Sequence, residues 1–374
     1  MKQLLLIILV LSVFFSCEKE IIIDSQLLAP KIVVNAFIAN DSVISVFVYQ
    51  NTPINTTENM KTKSDASIVL TENGNQKYTL KRFFTLTRNT HYYYEKNALD
   101  MDVNEFDTTY YYSIPEFYGI PGNNYKIEVS CPGFETVSAE TTVPFPVKLH
   151  AIDTSSTISN ESNYILINSY FKIKFSEPAN ETNYYRLVKF ENTGQFYPVY
   201  NETDTLQYFI KQHSSGEDRF NSNDPVFSNV HEDANSYIFG SGWNSFGIFT
   251  DELINGKDYE VSVYESIGYS NDYFESFSFI DTEKGEFKTI KFAFQSISSD
   301  MYFFLKSIDL QSYNDGSPFS EPVPIFNNIE NGYGIFGSYA SSYIEITNGE
   351  YPKEGIEYLT FEEALKILDK DKNQ

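Results

Sequence analysis

Cysteine is almost absent from this sequence, which contains only Cys17 and Cys131. Two cysteines cannot form the network of disulfide bonds that holds many small secreted domains together, so the fold must depend on its hydrophobic core. Cys131 ends a run of alternating apolar and polar residues, 127–131, that is typical of a β-strand. We expect its thiol to be a small buried hydrophobic group rather than a reactive one.

Basic residues are also scarce, with 27 lysines and arginines against 51 aspartates and glutamates and a net charge of −24. A surface of this sign repels nucleic-acid phosphates and anionic lipid headgroups. The composition therefore argues against a nucleic-acid partner and against attachment to a membrane by charge. The acidic residues are dispersed along the chain and aromatic residues make up 17 % of it, as expected for a folded protein.

The sequence lacks the short motifs that identify common reactions. It has no Gly-x-Ser-x-Gly nucleophile elbow, no Ser-x-x-Lys, no phosphate-binding glycine loop and no dinucleotide fingerprint. No two of its four histidines have the spacing of a helical zinc site: His91, His150, His213 and His231. We therefore predict no catalytic residue, no resident metal and no cofactor, and we do not expect an enzyme.

One acidic segment has some features of a calcium-binding loop. Asp100, Asp102 and Asn104 place oxygen ligands at alternate positions. The segment lacks the glycine required at the sixth position of such a loop, and Tyr111 stands where the bidentate glutamate belongs. An acidic, solvent-exposed loop is the favoured interpretation, and a structural calcium ion at these three residues is the alternative.

The longest hydrophobic run is at the N-terminus, where Lys2 precedes an uncharged apolar stretch, residues 4–15. This stretch is too short to span a bilayer and instead has the form of an export signal. Cys17 follows it after a small residue, as in a lipoprotein cleavage site. We predict a signal peptide over residues 1–16, acylation of Cys17 with fatty acids such as palmitate, and a tether over residues 17–28. An ordinary signal peptide or a membrane anchor is the alternative.

Helical periodicity is nearly absent, whereas short β-branched and aromatic runs recur along the chain. Turn-forming Asn-Gly pairs separate several of these runs, at residues 73–74, 255–256, 331–332 and 348–349. A short amphipathic helix is predicted only at residues 361–368, with Thr360 as its N-cap. The pattern predicts an all-β protein with one short C-terminal helix.

The chain is long for a single hydrophobic core. Removal of the signal peptide leaves 374 − 16 = 358 residues, above the roughly 250–300 at which one core usually stops growing. Pro144 and Pro146 mark a stiff connector that cannot donate backbone hydrogen bonds to a sheet. We therefore predict an N-terminal β-sandwich over residues 29–145, a larger β-rich, sandwich-like domain over residues 146–345, and a tail with the short helix over residues 346–374.

Aromatic runs and one long polar segment stand out within these domains. Consecutive residues of a strand face opposite sides of a sheet, so about half of each aromatic run must lie outside one core, under a loop, a second domain or a partner. We favour burial within the chain for the runs at residues 92–94, 110–112, 184–185 and 302–304. Residues 212–235 are interpreted as a long polar loop, in which a polar site that includes His213 and His231 is an open alternative.

Several short landmarks occur in an order that resembles a known family. They are found at residues 16–20, 30–35, 121–125 (Pro-Gly-Asn-Asn-Tyr), 132–134 (Pro-Gly-Phe), 139–144, 183–186, 255–259 (Asn-Gly-Lys-Asp-Tyr), 317–322 and 327–337. In this order the chain is similar to the outer-membrane lipoproteins of Bacteroidota that form domain-of-unknown-function family 4249. The resemblance covers essentially the whole chain after Cys17.

This resemblance implies an N-terminal immunoglobulin-like or carboxypeptidase-regulatory-like β-sandwich, and an accessory role beside an outer-membrane β-barrel such as a TonB-dependent receptor. It identifies no catalytic residue. Lipoproteins exported to the cell surface in this phylum carry acidic residues after the lipidated cysteine, and Glu18 and Glu20 fit that rule, although Lys19 interrupts it. The expected location is therefore the outer membrane with the protein facing outward, and a lipoprotein that faces the periplasm is the alternative.

These observations lead us to expect a lipid-anchored accessory or binding protein that works with an outer-membrane β-barrel, either a receptor or an assembly complex. A surface glycoside hydrolase or other hydrolase with its site in the second domain is one alternative, since carboxylates are plentiful but their separation in space is not given by sequence. An adhesin or structural surface protein is another, although the sequence has no internal repeat of fixed period.

Overall fold

The structure is a computed structural model, and it describes residues 30–52, 60–95, 98–161, 164–200, 206–230, 244–270, 286–314, 323–349 and 358–359. Its strands are β1 Ile32–Ala39, β2 Ser45–Gln50, β3 Ser67–Glu72, β4 Gln76–Thr79, β5 Lys81–Glu95, β6 Ala98–Ser113, β7 Asn124–Ser130, β8 Val137–Thr142, β9 Lys148–Glu161, β10 Tyr164–Ser176, β11 Tyr184–Tyr200, β12 Leu206–Asp218, β13 Ile248–Thr250, β14 Asp258–Ser270, β15 Glu286–Ile297, β16 Tyr333–Gly349 and β17 Tyr358–Leu359. A 3-10 helix, Pro225–Val230, and an α-helix, α1, Ser299–Asn314, accompany them. The all-β prediction is confirmed.

The strands form three sheets. Sheet A has ten strands in the order β17-β12-β11-β15-β16-β1-β2-β6-β5, with β13 paired to β11. Sheet B has the order β4-β3-β7-β8, and sheet C has the order β14-β10-β9. β1 lies in the middle of sheet A, where it pairs in parallel with β16 and antiparallel with β2. Strands from both ends of the chain therefore share one sheet.

Sheet B packs against the part of sheet A that contains β1 and β2. Burial alternates along β1 from Ile32 to Ile38, as the two-residue period of a strand requires. These side chains meet apolar residues of sheet B such as Ile68 and Ile127 in one core. Phe336 and Ala340 of β16 belong to the same core. We call the face of sheet A that contacts sheets B and C the inner face.

Sheet C packs against β11, β15 and β16 and encloses a second, aromatic core. Phe171 and Phe175 of β10 are buried against Phe292 and Phe294 of β15. The ring centroids of Phe175 and Phe294 are 4.5 Å apart, and those of Phe171 and Phe292 are 5.3 Å apart. Such pairs add about 0.5–1.5 kcal/mol beyond the burial of their area. Aromatic packing therefore joins sheet C to sheet A.

The helix α1 covers part of the opposite, outer face of sheet A. Met301 and Leu305 pack there against Ile297 of β15 and Phe37 of β1. The aromatic run at residues 302–304 lies in α1, so the strand assumed for this run is wrong. A helix turns about 100° per residue, and for this reason Tyr302 is buried whereas the neighbouring Phe303 is 43 % exposed.

The predicted C-terminal helix and the predicted long polar loop have different outcomes. The helix predicted at residues 361–368 lies outside the described residues. The loop predicted at residues 212–235 is wrong in its first part, because residues 212–218 belong to β12, where His213 is paired with Thr193 of β11. Residues 212–218 include no apolar side chain, which is typical of a loop, and the pairing partner of this stretch could not be identified from sequence. His231 lies outside the described residues.

The proline-containing connector runs between sheets B and C beneath β16. Ser338 of β16 donates a hydrogen bond to the carbonyl of Thr142, and Ser342 donates one to the carbonyl of Val147. The connector is therefore tied to the inner face of sheet A. The division of the chain at residues 145 and 146 stays a prediction, and the hydrogen-bonded network of sheet A continues across it.

Candidate functional site

The residues predicted for lipid attachment and surface export, Cys17, Glu18 and Glu20, lie outside the described part of the chain. Their roles stay predictions. Cys131 lies within it, is 5 % exposed, and packs in the core between sheets A and B. Burial raises the pKa of its thiol, so the nucleophilic thiolate is scarce at neutral pH. The expectation of a buried, hydrophobic cysteine is confirmed.

The three calcium candidates, Asp100, Asp102 and Asn104, lie in the strand β6, which pairs with β5. The favoured interpretation of this segment as a loop is therefore wrong. An extended backbone separates residues two apart by about 6.6 Å, whereas calcium takes its oxygens at about 2.3–2.6 Å, usually from a chain that curls around the ion. Among the residues that the structure describes, no group of three or more His, Cys, Asp or Glu side chains could hold a metal. The calcium site stays a prediction that this backbone does not favour.

The feature best suited to binding is the edge of sheet A at β5. Within the described ranges, β5 pairs with β6 on one side and no strand continues the sheet on the other. The backbone N–H of Tyr110 in β6 donates to Thr62, away from β5. Its partner Phe84 must therefore also direct its N–H and C=O away from β6, as the residues of a non-hydrogen-bonded antiparallel pair do. Arg82 and Leu86, two residues to either side, present their backbone groups at the same edge.

Two large apolar side chains are exposed at this edge. Phe84 is 61 % exposed and Leu86 is 58 % exposed. Natural sheets usually protect a long edge with charges, prolines or bulges, because unpaired backbone groups next to apolar side chains recruit another strand. β5 has basic residues at 81, 82 and 88 and an irregularity between Asn89 and His91, whereas residues 83–87 between them carry no charge, proline or bulge. The edge begins where Leu80 donates its N–H to the carbonyl of Ile68 in sheet B. Beyond that bond, β5 offers the geometry of a site for strand addition.

The charge of β5 differs in sign from that of the whole chain. Lys81, Arg82 and Arg88 are basic, and Glu95 is the strand's single acidic residue. Over the paired segments 81–88 of β5 and 106–113 of β6, three basic residues and Asp107 give a net charge of 3 − 1 = +2, within a chain of net charge −24. The far end of the hairpin, with Glu95 of β5 and Asp100, Asp102 and Glu105 of β6, is acidic. A cationic edge on an anionic protein attracts an acidic partner and orients it during encounter.

An aromatic ladder crosses the outer face of sheet A next to this edge. It consists of Tyr49 and Phe47 of β2, Tyr111 of β6 and Phe83 of β5, all half-buried. Successive ring centroids are 6.5, 6.0 and 5.6 Å apart. Tyr112, the next residue of the run, faces inward and is buried. Burial within the chain, which we expected for the aromatic runs, thus holds for Tyr112, whereas Tyr111 forms part of a surface.

A second polar feature, the lysine cluster, lies at the end of the aromatic core between sheets A and C. It consists of Lys189, Glu191, Asp218, Glu265 and Lys288. The Lys189 ammonium contacts Glu265 and lies 2.9 Å from Asp218, and the Lys288 ammonium lies 2.9 Å from Glu191 and 3.2 Å from Glu265. The side chain of Lys189 is only 2 % exposed.

The electrostatics of the lysine cluster are those of a structural ion network. Burial by itself would lower the pKa of Lys189, but hydrogen bonds to Glu265 and Asp218 outweigh it and raise the pKa. Lys189 therefore stays charged and holds both carboxylates. Sequence reasoning missed this cluster, although one signal was present: Lys189 continues the buried alternation of Tyr185 and Leu187 along β11.

Comparison with known proteins agrees with the landmark order in the sequence. No helix among the described residues is both long and apolar enough to cross a membrane. No curated protein matches the chain. A family model described as domain of unknown function, DUF4249, matches residues 18–345, which is 345 − 17 = 328 of the 374 residues. The match confirms the resemblance seen in the sequence, and the chain belongs to the DUF4249 family.

Proposed function

We propose that this protein is a lipid-anchored lipoprotein of the outer membrane, facing the cell surface, that acts as an accessory binding protein for an outer-membrane β-barrel such as a TonB-dependent receptor or an assembly complex. The export signal and Cys17 support the anchor, and Glu18 and Glu20 support the outward orientation. The observation that carries the binding role is the exposed, apolar and cationic edge at β5.

The occupant that fits this edge is an extended segment of the partner in which acidic and apolar residues alternate. Strand addition gives affinity through the backbone groups of Arg82, Phe84 and Leu86, and the alternating side chains give specificity. Phe84 and Leu86 lie on one face and match apolar residues of the incoming strand. Lys81, on the opposite face, matches its carboxylates.

A second copy of this chain fits the edge less well. Two β5 strands paired antiparallel around Phe84 would place Arg82 of one copy opposite Leu86 of the other, two residues from that copy's Arg88, and Lys81 opposite Thr87, next to the same Arg88. Like charges across a strand pair are destabilising. The charge pattern therefore favours a different, acidic partner over self-association.

Site-specific photo-crosslinking tests the docking site in intact cells. A photoreactive phenylalanine analogue at position 84 is expected to crosslink to an outer-membrane β-barrel protein, identified by mass spectrometry. The same analogue at Ile158, which is 65 % exposed on β9 of sheet C, is the matched control and should not crosslink to that protein. Equal crosslinking from both positions, or crosslinks from position 84 only to a second copy of this chain, would contradict the proposal.

Lysine substitutions at the β5 edge provide a second test. Phe84→Lys and Leu86→Lys are expected to abolish co-purification with the barrel protein after mild detergent extraction, because a buried lysine in the added strand pair is costly. Ile158→Lys is expected to leave co-purification unchanged. If both edge variants still co-purify with the barrel protein, β5 is not the docking site.

The anchor is tested separately. Metabolic labelling with radioactive palmitate should mark the processed wild-type chain and leave Cys17→Ser unlabelled. The Cys17→Ser protein should then leave the membrane fraction. Protease treatment of intact cells should remove the wild-type protein, and its survival until the cells are lysed would instead show that it faces the periplasm.

A further inference from the structure

The tether predicted between Cys17 and β1 has an unusual composition for a linker. Its residues 18–29 contain no glycine and one serine, and five of them are large and aliphatic: Ile21, Ile22, Ile23, Leu27 and Leu28. A flexible linker is normally rich in glycine and serine. Moving a large aliphatic side chain out of water is favourable. The segment therefore has the composition of a chain that packs against an apolar surface.

The chain enters the described fold beside the first ring of the aromatic ladder. The N–H of Lys31 donates to Asn51 Oδ1 at 2.7 Å, and the N–H of Asn51 donates to the carbonyl of Lys31 at 3.1 Å. Tyr49, where the ladder begins, is two residues from Asn51, or about 6.6 Å along an extended strand. It is also the partner of Val33 across β1 and β2. The C-terminal end of the tether is therefore held close to the ladder.

The aromatic ladder lies on the side of β1 away from α1. In sheet A the helix packs mainly against β11 and β16, whereas the ladder belongs to β2, β6 and β5, beyond β1 in the sheet order. Its rings are half-buried and keep part of their apolar surface accessible. Because Phe47, Tyr111 and Phe83 come from three neighbouring strands, the ladder runs across the sheet. A chain that lies along it contacts side chains and does not pair with a strand.

The spacing of the aliphatic residues fits the spacing of the rings. Ile23 and Leu27 are four residues apart, or about 13 Å in an extended chain. The two ladder steps from Tyr49 through Phe47 to Tyr111 measure 6.5 and 6.0 Å between ring centroids. When Leu27 lies on Tyr49, Ile23 therefore reaches Tyr111.

The charges of the tether fit the same direction. Lys81 is exposed and lies two residues from Phe83 on the same face of β5, at the far end of the ladder. Glu20 precedes the isoleucines and so arrives at that end with the opposite charge. Together with Glu18 and Asp24, it also disfavours insertion of the aliphatic residues into an anionic membrane surface. The ladder is therefore the better apolar surface for this segment.

We propose that residues 21–28 of the tether dock on the aromatic ladder, with the two leucines toward Tyr49 and the three isoleucines toward Phe83. Docking shortens the free part of the tether from residues 18–29, about 40 Å when extended, to residues 18–20, about 10 Å. The consequence for orientation rests on the lipid anchor of the proposed function. With Cys17 acylated, the docked tether holds β5 and its exposed edge close to the bilayer, where a barrel partner lies.

The docking is tested in solution on the chain from residue 17 onward with Cys17→Ser, so that the result does not depend on acylation. A photoreactive phenylalanine analogue replaces Phe83, and crosslinked peptides are mapped by mass spectrometry. Crosslinks to residues 21–28 of the same chain are expected. A mixture of isotopically light and heavy protein distinguishes them from crosslinks to a second copy. The same analogue at Ile158 of sheet C, which packs on the inner face of sheet A, is the control and should not reach the tether.

Substitutions in the tether test which residues dock. Serine at all five aliphatic positions should lower the crosslink yield about tenfold, because the apolar contact is lost. These positions precede β1, so the fold should persist, and circular dichroism checks this. The matched control is Ser25→Ala with Gln26→Ala, which changes the same segment but keeps its aliphatic residues. Its yield should equal that of the unsubstituted tether.

A membrane arm tests the alternative that the tether enters the bilayer. The acylated protein with the analogue at position 83 is placed in vesicles of phosphatidylethanolamine and phosphatidylglycerol, and the crosslink to residues 21–28 should persist. Its loss in vesicles, crosslinks mainly to a second copy, equal yields from positions 83 and 158, or a yield that survives the five serines would each overturn the docking. If Cys17 is not acylated, the anchor fails, whereas the Cys17→Ser experiment still decides the docking.

Discussion

At the scale of single residues, Lys189 shows why a buried charge is tolerated in this fold. Its ammonium is held by Glu265 and Asp218 at the end of an aromatic core. We predict that Lys189→Met lowers the free energy of unfolding by about 3 kcal/mol, because it leaves Glu265 buried with fewer positive partners. Urea denaturation measures this change. The double variant Lys189→Met with Glu265→Leu should recover part of the loss.

A matched control for Lys189 is available on sheet C. Lys174 forms an ion pair with Asp153, but both side chains are exposed to solvent. Lys174→Met should leave the unfolding midpoint in urea nearly unchanged, since solvent screens an exposed pair. Equal losses from the two variants would show that burial does not set the strength of the lysine cluster.

Glu72 gives a prediction about pH. Burial would raise its pKa, but hydrogen bonds from Asn123, Tyr125 and Tyr78 outweigh it and hold the pKa below the usual value. A carboxyl whose pKa is lower in the folded state stabilises the fold above its unfolded pKa of about 4.3 and loses this effect as the pH falls through the folded pKa. The stability advantage of the wild type over Glu72→Gln should therefore shrink below about pH 4. Denaturation curves in which the difference is constant from neutral to acidic pH would contradict this.

Some residue-level predictions succeeded because local chemistry decides them. Asn73 and Gly74 have φ of 48° and 71° in the turn between β3 and β4, as the Asn-Gly pair predicts. The pair at residues 348–349 was predicted as a turn but ends the strand β16, where pairing with β15 decides the conformation. Asp41 Oδ1 and Gln295 Oε1, two buried acceptors with no hydrogen-bond donor among the described residues, have no local signal, because contacts distant in sequence create their environment.

At the scale of secondary-structure elements, α1 begins at a cap that the sequence analysis overlooked. Ser298 Oγ accepts a hydrogen bond from the N–H of Met301 at 3.3 Å and another from the N–H of Ser338 at 3.2 Å. Ser298→Ala should therefore lower the free energy of unfolding by about 1–2 kcal/mol, the usual cost of losing an N-cap. Ser299→Ala, one residue on and exposed, is the control and should have little effect in the same denaturation experiment. Similar losses from both would contradict a capping role.

The helix was missed for a physical reason. Its aromatic run, residues 302–304, has the intrinsic preference of a strand. The buried residues Met301, Tyr302 and Leu305 have helical spacing, and Asp300 favours the first turn. Capping and periodicity together would have predicted α1, whereas its position over the outer face of sheet A depends on tertiary contacts.

The pairing of β1 with β16 depends on one glycine. Gly334 has φ of 110°, and a Cβ atom there would lie 2.0 Å from the carbonyl oxygen of Val34. Gly334→Ala should therefore prevent the two strands from pairing and leave the protein largely insoluble or unfolded. Gly74→Ala is the control, because it also has positive φ but meets open space, and it should remain folded. Circular dichroism and the soluble yield measure both outcomes.

At the scale of the whole molecule, sheet A joins the two ends of the chain. β16 pairs with β1 from Val33 to Ala39 and adds Phe336 and Ala340 to the core between sheets A and B. We predict that a fragment of residues 29–145 does not fold alone, since it lacks this strand. Its amide NMR spectrum should be poorly dispersed, in contrast to that of residues 29–349. A well-dispersed spectrum from the short fragment would show that it is an autonomous domain.

Sequence reasoning reached the fold class and the family but not this topology. Alternation and turn residues predict strands, and the order of short landmarks predicts the family, because both are local or sequential signals. The parallel partner of β1 lies at the other end of the chain, and no local pattern in residues 32–39 indicates it. The free edge at β5 is the same kind of property, since an edge is defined by which strands are absent beside it.

The central position of β1 has a mechanical consequence. β1 begins 32 − 17 = 15 residues after Cys17, so if Cys17 carries the proposed lipid, a pull on that anchor reaches β1 before any other strand described. Force along a strand with neighbours on both sides loads its backbone hydrogen bonds in shear, all at once, whereas force on an edge strand opens them one after another. With the proposed tether, this arrangement would resist unravelling of the fold by a force on the anchor.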